Sequence, residues 1–255
     1  MKIGITGYTG RVGQLLVHEL QSGKWKSLEL AGGTSRKGHD NISGMFTTTD
    51  ADALFEKSDA VIDFTLPEGT LQHAELAAKH KKILIIGTTG LSADQEQSIA
   101  EAAKSTPIVY AANMSLGVNL LSALVEKAAR SLAPDDWDIE IFETHHNNKI
   151  DAPSGTALAL GQSAASGRNT ELPSPVQSDR NGKRESGEIG FSVARGGDVV
   201  GEHTVFFFGD GERLELTHRA TNRALFARGA LKAAQWAKEK PAGLYSMRDV
   251  LGLND

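Results

Sequence analysis

Three glycines that follow the first apolar run, in Thr6-Gly7-Tyr8-Thr9-Gly10-Arg11-Val12-Gly13, constrain the fold of this chain more than any other feature. They stand between Lys2–Thr6, which reads as a buried strand, and residues 11–20, where Val12, Leu15, Leu16 and Leu20 recur at helical spacing. A strand that turns so tightly into a helix needs backbone without a Cβ in the way. The helix start then presents free N–H groups and the positive end of its dipole, which is what a pyrophosphate requires. The alternation continues downstream. Residues 27–32, 60–65, 82–87 and 108–112 read as strands, and residues 50–57, 71–80 and 92–104 as helices. Asp50 caps the first of these helices, and Ser92 with Gln95 forms a capping box on the last. Strands alternating with helices predict a parallel sheet covered on both faces, an α/β Rossmann-type dinucleotide-binding domain over residues 1–114.

The rhythm changes after a long helix over residues 115–132, in which Leu116, Leu120, Leu124 and Ala128 share one side. Residues 138–144 alternate as a strand, 156–165 form a helix, and 166–187 read as a long loop. Strands follow at 189–194, 203–208 and 213–218, the last two joined as a hairpin across Gly209-Asp210-Gly211-Glu212. A helix over 223–240 stops at Pro241. A mixed α+β domain over residues 115–219 is the expectation, and the pattern alone leaves 220–255 with either domain.

A formal net charge of -5 gives no general attraction to nucleic acid or an anionic membrane, so any anion must be held by local positive charge. No apolar run approaches the roughly 18 residues that span a bilayer. With no cysteine, thiolate metal sites, disulfides and a cysteine nucleophile are all excluded. A cytoplasmic protein with a small-molecule substrate fits these bounds.

Candidate ligand contacts gather at the carboxyl ends of the predicted strands, the edge where such sheets bind. Gly7, Tyr8, Thr9, Gly10, Arg11 and Val12 form the first turn, with GxxGxxG spacing in place of GxGxxG. Gly87, Thr88 and Thr89 follow the fourth strand, and Ala111, Ala112, Asn113 and Met114 follow the fifth. At the end of the second strand an acidic residue would select NADH by bonding the ribose hydroxyls. Here the tip reads Ser35-Arg36-Lys37, two cations and no carboxylate, which favours NADPH, with NADH still possible.

The densest chemistry lies in Glu143-Thr-His-His-Asn-Asn-Lys-Ile-Asp-Ala-Pro-Ser-Gly-Thr-Ala157. His145, His146 and Lys149 can bind carboxylates and deliver protons, His titrating near neutrality. A metal is disfavoured by the lysine ammonium, so no metal is expected. Ser154 is a plausible helix cap, leaving the amides of Gly155 and Thr156 at the positive dipole end.

This segment resembles the signature of the dihydrodipicolinate reductase family, with every fixed position present. The resemblance extends to Gly7–Gly13, Gly87-Thr88-Thr89-Gly90, residues 112–119, Gly201-Glu202-His203-Thr204 and residues 243–251. It implies a nucleotide domain completed by residues 220–255, a substrate-binding and tetramerisation domain, and a homotetramer. It also implies NAD(P)H-dependent reduction of a cyclic dicarboxylate in the diaminopimelate and lysine pathway. His145 would be the acid/base residue, Lys149 a proton donor, and His146, Ser154, Gly155 and Thr156 the carboxylate-holding groups. Ser35 stands where family members often carry an acid, which puts NADH preference in doubt. Extended short-chain dehydrogenases share the glycine spacing, but no Tyr-x-x-x-Lys pair is present; semialdehyde dehydrogenases need a cysteine. A non-catalytic nucleotide sensor would have no use for the His/Lys cluster.

Overall fold

The computed structural model describes residues 1–36, 45–176, 178 and 181–253. In chain order its strands are β1 (Lys2–Thr6), β2 (Glu29–Thr34), β3 (Phe46–Thr48), β4 (Ala60–Asp63), β5 (Ile83–Ile86), β6 (Pro107–Tyr110), β7 (Asp138–His145), β8 (Ile189–Arg195), β9 (Gly201–Gly209), β10 (Glu212–Ala220) and β11 (Gly243–Tyr245). The helices are α1 (Arg11–Gln21), α2 (Ala51–Lys57), α3 (Pro67–His80), α4 (Ala93–Ala103), α5 (Leu116–Ser131), α6 (Gly155–Gly167), α7 (Ala224–Ala237) and α8 (Met247–Leu251). Two compact units result, one of Met1–Leu116 with Arg223–Asp255, the other of Gly117–Asn222.

The first unit is a seven-stranded sheet in the order β11-β6-β5-β4-β1-β2-β3, with every pair parallel. Its central strands are apolar at consecutive positions because both faces are covered. Along β4, Ala60 and Ile62 join the cluster under α1 and α7, while Val61 joins that under α2, α3 and α4. Ile85 of β5 and Val109 of β6 likewise face α7, and Leu84, Ile86 and Ile108 face the opposite layer. Gly4 lets α2 come close, since a Cβ there would lie 2.4 Å from Ser58 Oγ. The Rossmann-type expectation is met, with β11 as an added edge strand.

Local details differ from the pattern. β2 starts at Glu29 and reaches Thr34, two residues later than expected, because Leu28 N–H closes a turn on the Trp25 carbonyl and Thr34 pairs with Thr6. α3 starts at Pro67, a residue suited to the first helical position, where its missing N–H costs nothing. The short elements β3, β11 and α8 carry too few residues for a periodic signal.

The second unit is a mixed sheet in the order β10-β9-β7-β8, parallel between β7 and β8 and antiparallel elsewhere. Asp210-Gly211 turns the hairpin, with Gly211 at φ +76°. Ile139, Ile141, Phe191, Val205 and Phe207 point to one face and pack against α5 and α6. The expected stripe on α5 was misplaced. Val118, Leu121, Val125 and Ala129 are buried, whereas Leu120 and Leu124 are 44% and 45% exposed. Two apolar stripes compete at helical spacing there, and the one with Val118, Leu121, Val125 and Ala129 is buried. The sheet's other face carries Phe142, Phe206 and Phe208, and the helices of the unit's core do not cover it.

Candidate active site

The nucleotide edge is built by the glycines. Gly7 adopts φ +67°, a left-handed conformation that a side chain resists, and its carbonyl accepts the Gly10 N–H at 2.9 Å. A Cβ on Gly13 would lie 2.4 Å from the Gly7 carbonyl oxygen and 2.7 Å from Tyr8 Cα, so the helix start can sit this close only as glycine. Gly10, the N-cap of α1, supplies no side-chain cap, and the first ladder bond runs from Gln14 N–H to the Gly10 carbonyl. The amides of Arg11, Val12 and Gly13 are therefore turned to a ligand. This cradle fits a dinucleotide pyrophosphate.

Other expected contacts take different parts. Thr9, Gly10, Arg11, Thr89, Ala112 and Arg36 are exposed at this edge, with Gly7, Val12, Ala111 and Asn113 half-buried. Tyr8 and Met114 are core residues, 2% and 1% exposed; Tyr8 packs against Gly33, and Met114 belongs to the cluster under α7. Ser35 is buried with its N–H on the Thr48 carbonyl at 3.2 Å. Lys37 lies outside the described residues. Gly87 is buried against the Phe64 ring, and the Thr88 hydroxyl, buried too, accepts from Thr65 N–H at 3.1 Å.

Beneath these loops lies Asp63, fully buried at the end of β4. It accepts from the hydroxyls of Thr6 (2.8 Å), Thr65 (2.6 Å), Thr70 (2.5 Å) and Thr88 (3.3 Å), and His73 Nδ1 lies 3.3 Å away. Burial alone would raise its pKa, but His73 and the hydroxyls outweigh that and hold it below the ordinary value. One carboxylate thus ties together the ends of β1 and β4, the first turn of α3 and the Gly87–Gly90 turn.

In the second unit, β7 sets up the chemistry. Its inward stripe runs Ile139, Ile141, Glu143, His145, apolar at the start and ionisable at the carboxyl end. Glu143 is fully buried. Its Oε1 accepts from Ser154 N–H at 3.0 Å and from Arg195 Nη2 at 2.9 Å; its Oε2 accepts from Arg195 Nη1 at 2.9 Å and meets His145 Nδ1. Burial by itself would raise the Glu143 pKa; Arg195, His145 and the Ser154 amide prevail and lower it. Burial pushes the His145 pKa down, with Lys149 and Arg195 acting in the same sense against the opposing pull of Glu143. His203 Nε2 meets Ser154 Oγ at 3.1 Å, and its ring stands edge-on to His145 with centroids 5.1 Å apart.

Ser154 also caps α6, its Oγ accepting from Ala157 N–H at 3.1 Å. A Cβ on Gly155 would meet nothing within 4 Å, so the first turn opens on free space. Lys149 Nζ bonds Asp151 Oδ1 at 2.8 Å, and Arg195 Nη2 holds the Asp151 carbonyl at 2.7 Å. His145, His146, Lys149, Ser154, Gly155 and Thr156 thus all fall within one strand end, its following loop and one helix start. Glu143, His145 and His203 present ligand atoms within 4.8 Å of one another. Both Glu143 oxygens are already engaged, however, and a guanidinium beside them opposes a cation.

Residues 1–114 match the family described as dihydrodipicolinate reductase, N-terminus, and residues 117–251 match dihydrodipicolinate reductase, C-terminus. The chain belongs to the dihydrodipicolinate reductase family. Relatives within it include the 4-hydroxy-tetrahydrodipicolinate reductases of Bartonella tribocorum, 49% identical over 100% of this chain and 99% of theirs, and of Cereibacter sphaeroides, 50% identical over 98% of each. The solved structure of dipicolinate-bound dihydrodipicolinate reductase from Paenisporosarcina sp. TG-14 superposes with a TM-score of 0.79 at 26% identity, covering 96% of this chain and 97% of that one. Thermotoga maritima aspartate dehydrogenase, 13% identical with a TM-score of 0.53 over 92% and 95% of the chains, shares the fold.

Three residues of the histidine cluster escaped the sequence reading as site residues. Glu143 could have been found from its period-two spacing to His145 on a strand. His203 lies in Gly201-Glu202-His203-Thr204, one of the segments that resemble the family. Arg195 lies 52 residues from Glu143, and nothing local in the sequence marks the pair.

Proposed function

We propose that this family member reduces 4-hydroxy-tetrahydrodipicolinate to tetrahydrodipicolinate with NAD(P)H, on the diaminopimelate route to lysine. The convergence of His145, Lys149 and the open first turn of α6 carries the reading. The relatives are reductases of that name, and one solved relative is dipicolinate-bound. Substrate carboxylates take the Gly155 and Thr156 amides and the positive charge of Lys149, released from Asp151, with His146 alongside. Loss of the 4-hydroxyl as water leaves a ring carbon conjugated with the imine, and the reduced nicotinamide, when bound, supplies a hydride to that carbon. His145 or Lys149 gives the proton that neutralises the resulting negative charge. The cradle Gly7-Gly10-Gly13 holds the pyrophosphate.

We favour NADPH over NADH, since Arg36 is exposed at the β2 end and none of Thr34, Ser35 and Arg36 is a carboxylate. The bare aromatic face of the second unit's sheet supports a homotetramer, and the cytoplasm is the proposed compartment. The deciding assay follows NADPH and NADH oxidation with the freshly formed aldolase product of pyruvate and aspartate semialdehyde. Oxidation with a lower KM for NADPH is expected. No oxidation with either nucleotide overturns the function, and a lower KM for NADH overturns the cofactor preference.

A further inference from the structure

Few groups in this chain are bonded as completely as the Glu143 carboxylate. It is fully buried, and four donors meet its two oxygens: two from Arg195, one from the Ser154 amide, one from His145. A paired guanidinium–carboxylate contact fixes orientation as well as charge. The side chain therefore has no freedom to turn away from the imidazole. We propose that Glu143 is the positioning residue of the reaction: clamped by Arg195 and the start of α6, it holds His145 through Nδ1 and leaves Nε2 as the nitrogen that exchanges a proton with the substrate. This rests on His145 being the acid/base residue.

The surroundings of Nε2 agree. A Cβ on Gly201 would come within 2.8 Å of it, so glycine at that point of β9 keeps the atom's approach clear. Among the described residues, the charged and titratable groups acting on the ring are Glu143 on β7, His203 on β9, Arg195 on β8 and, in the following loop, Lys149, which is itself paired with Asp151. Among the described residues, only Glu143 bonds Nδ1 of the ring. In the step itself, after the 4-hydroxyl has left as water, the hydride brings two electrons to substrate carbon. The Nε2–H bond of protonated His145 then breaks, its proton passes to the anion so formed, and a neutral imidazole remains with Nδ1–H on Glu143. The negative charge of Glu143 favours the protonated ring that must be present at the start.

Glu143→Gln keeps the shape and removes the charge. Without that charge, His145 loses its proton at lower pH. The high-pH fall of kcat is therefore expected to move down by about 1–3 pH units, the usual effect of a neighbouring opposite charge. Turnover at pH 7 is expected to fall by about 10²-fold or more, with the substrate KM little changed. A merely structural role would lower Tm and leave the pH limb in place, and that result overturns the proposal. His145→Gln is measured in parallel. If it retains wild-type turnover, the acid/base reading of His145 itself fails; if it is impaired while Glu143→Gln shows no limb shift, only the role of Glu143 fails. Should Glu143→Gln not fold, nitrogen-15 NMR of histidine-labelled wild-type protein decides. The neutral His145 ring is expected to carry its proton on Nδ1, and a proton on Nε2 overturns the proposal.

Discussion

His203 shows how much a single residue can add to the pH response of this protein. It is 4% exposed, and its Nδ1 has no hydrogen-bond partner among the described residues. Burial, with His145, His218 and Lys149 pushing the same way against Glu143, takes its pKa down to about 4 from an ordinary 6.5. The unfolded chain binds this proton near pH 6.5, whereas the folded chain resists it until about pH 4. Stability from this group is thus complete above 6.5, declines as pH falls through that window, and levels off below 4. Between pH 7.5 and 4.5 the decline amounts to about 2–3 kcal/mol. Buried carboxylates such as Asp63 and Glu143, with lowered pKa values, add losses in the same direction, so the contribution of His203 is read by difference. Urea denaturation at the two pH values is expected to show a smaller loss for His203→Gln than for wild type. Equal losses would remove the argument. The sequence could name His145, His146 and Lys149 because reactive residue types clustered within a few positions. It could not name Arg195, since pairing across strands sets its role, and it marked His203 only through the resembling segment Gly201-Glu202-His203-Thr204.

At the scale of elements, the long periodic segments were legible and the joints between them were not. The β–α alternation of the first half needs no tertiary information. By contrast, whether Leu120 and Leu124 or Leu121 and Val125 of α5 would be buried depended on which sheet the helix met. Gly229 is a joint of this hidden kind. It lies inside α7, where glycine is disfavoured by about 1 kcal/mol relative to alanine. A Cβ there would lie 1.7 Å from the Met114 carbonyl oxygen, so the loop after β6 rests directly on the helix backbone. Helix propensity favours Gly229→Ala, yet this contact opposes it. The clash is with backbone, which cannot rotate away, so we expect a net loss of about 1–3 kcal/mol, the scale of core overpacking. Residues 111–114 are nucleotide-edge candidates, and a rise in the NADPH KM should accompany the loss. A variant with raised Tm and unchanged KM would show that the contact is not tight.

For the whole molecule, the question is what covers the outer face of the four-stranded sheet. Phe206 and Phe208 stack there with centroids 5.4 Å apart, Arg213 lies about 6 Å from both rings, and Phe142 on β7 is 40% exposed. Alternation dictates this: the residues of β7 and β9 that do not meet α5 and α6 must point the other way, and here several are aromatic. Contiguous exposed aromatics of this kind mark surfaces that associate. A second copy of the same sheet is the occupant that the homotetramer reading requires. Charge placed on this face cannot disturb the core beneath it, because Val205 and Phe207, which fill that core, point away. The double variant Phe206→Glu with Phe208→Glu is therefore expected to stay folded and to sediment as smaller species than the wild-type protein. Arg213 lies close enough to soften the change, so the shift should grow when it is replaced as well. Sedimentation of the triple variant unaltered from wild type at micromolar concentration would show that this face is not the interface.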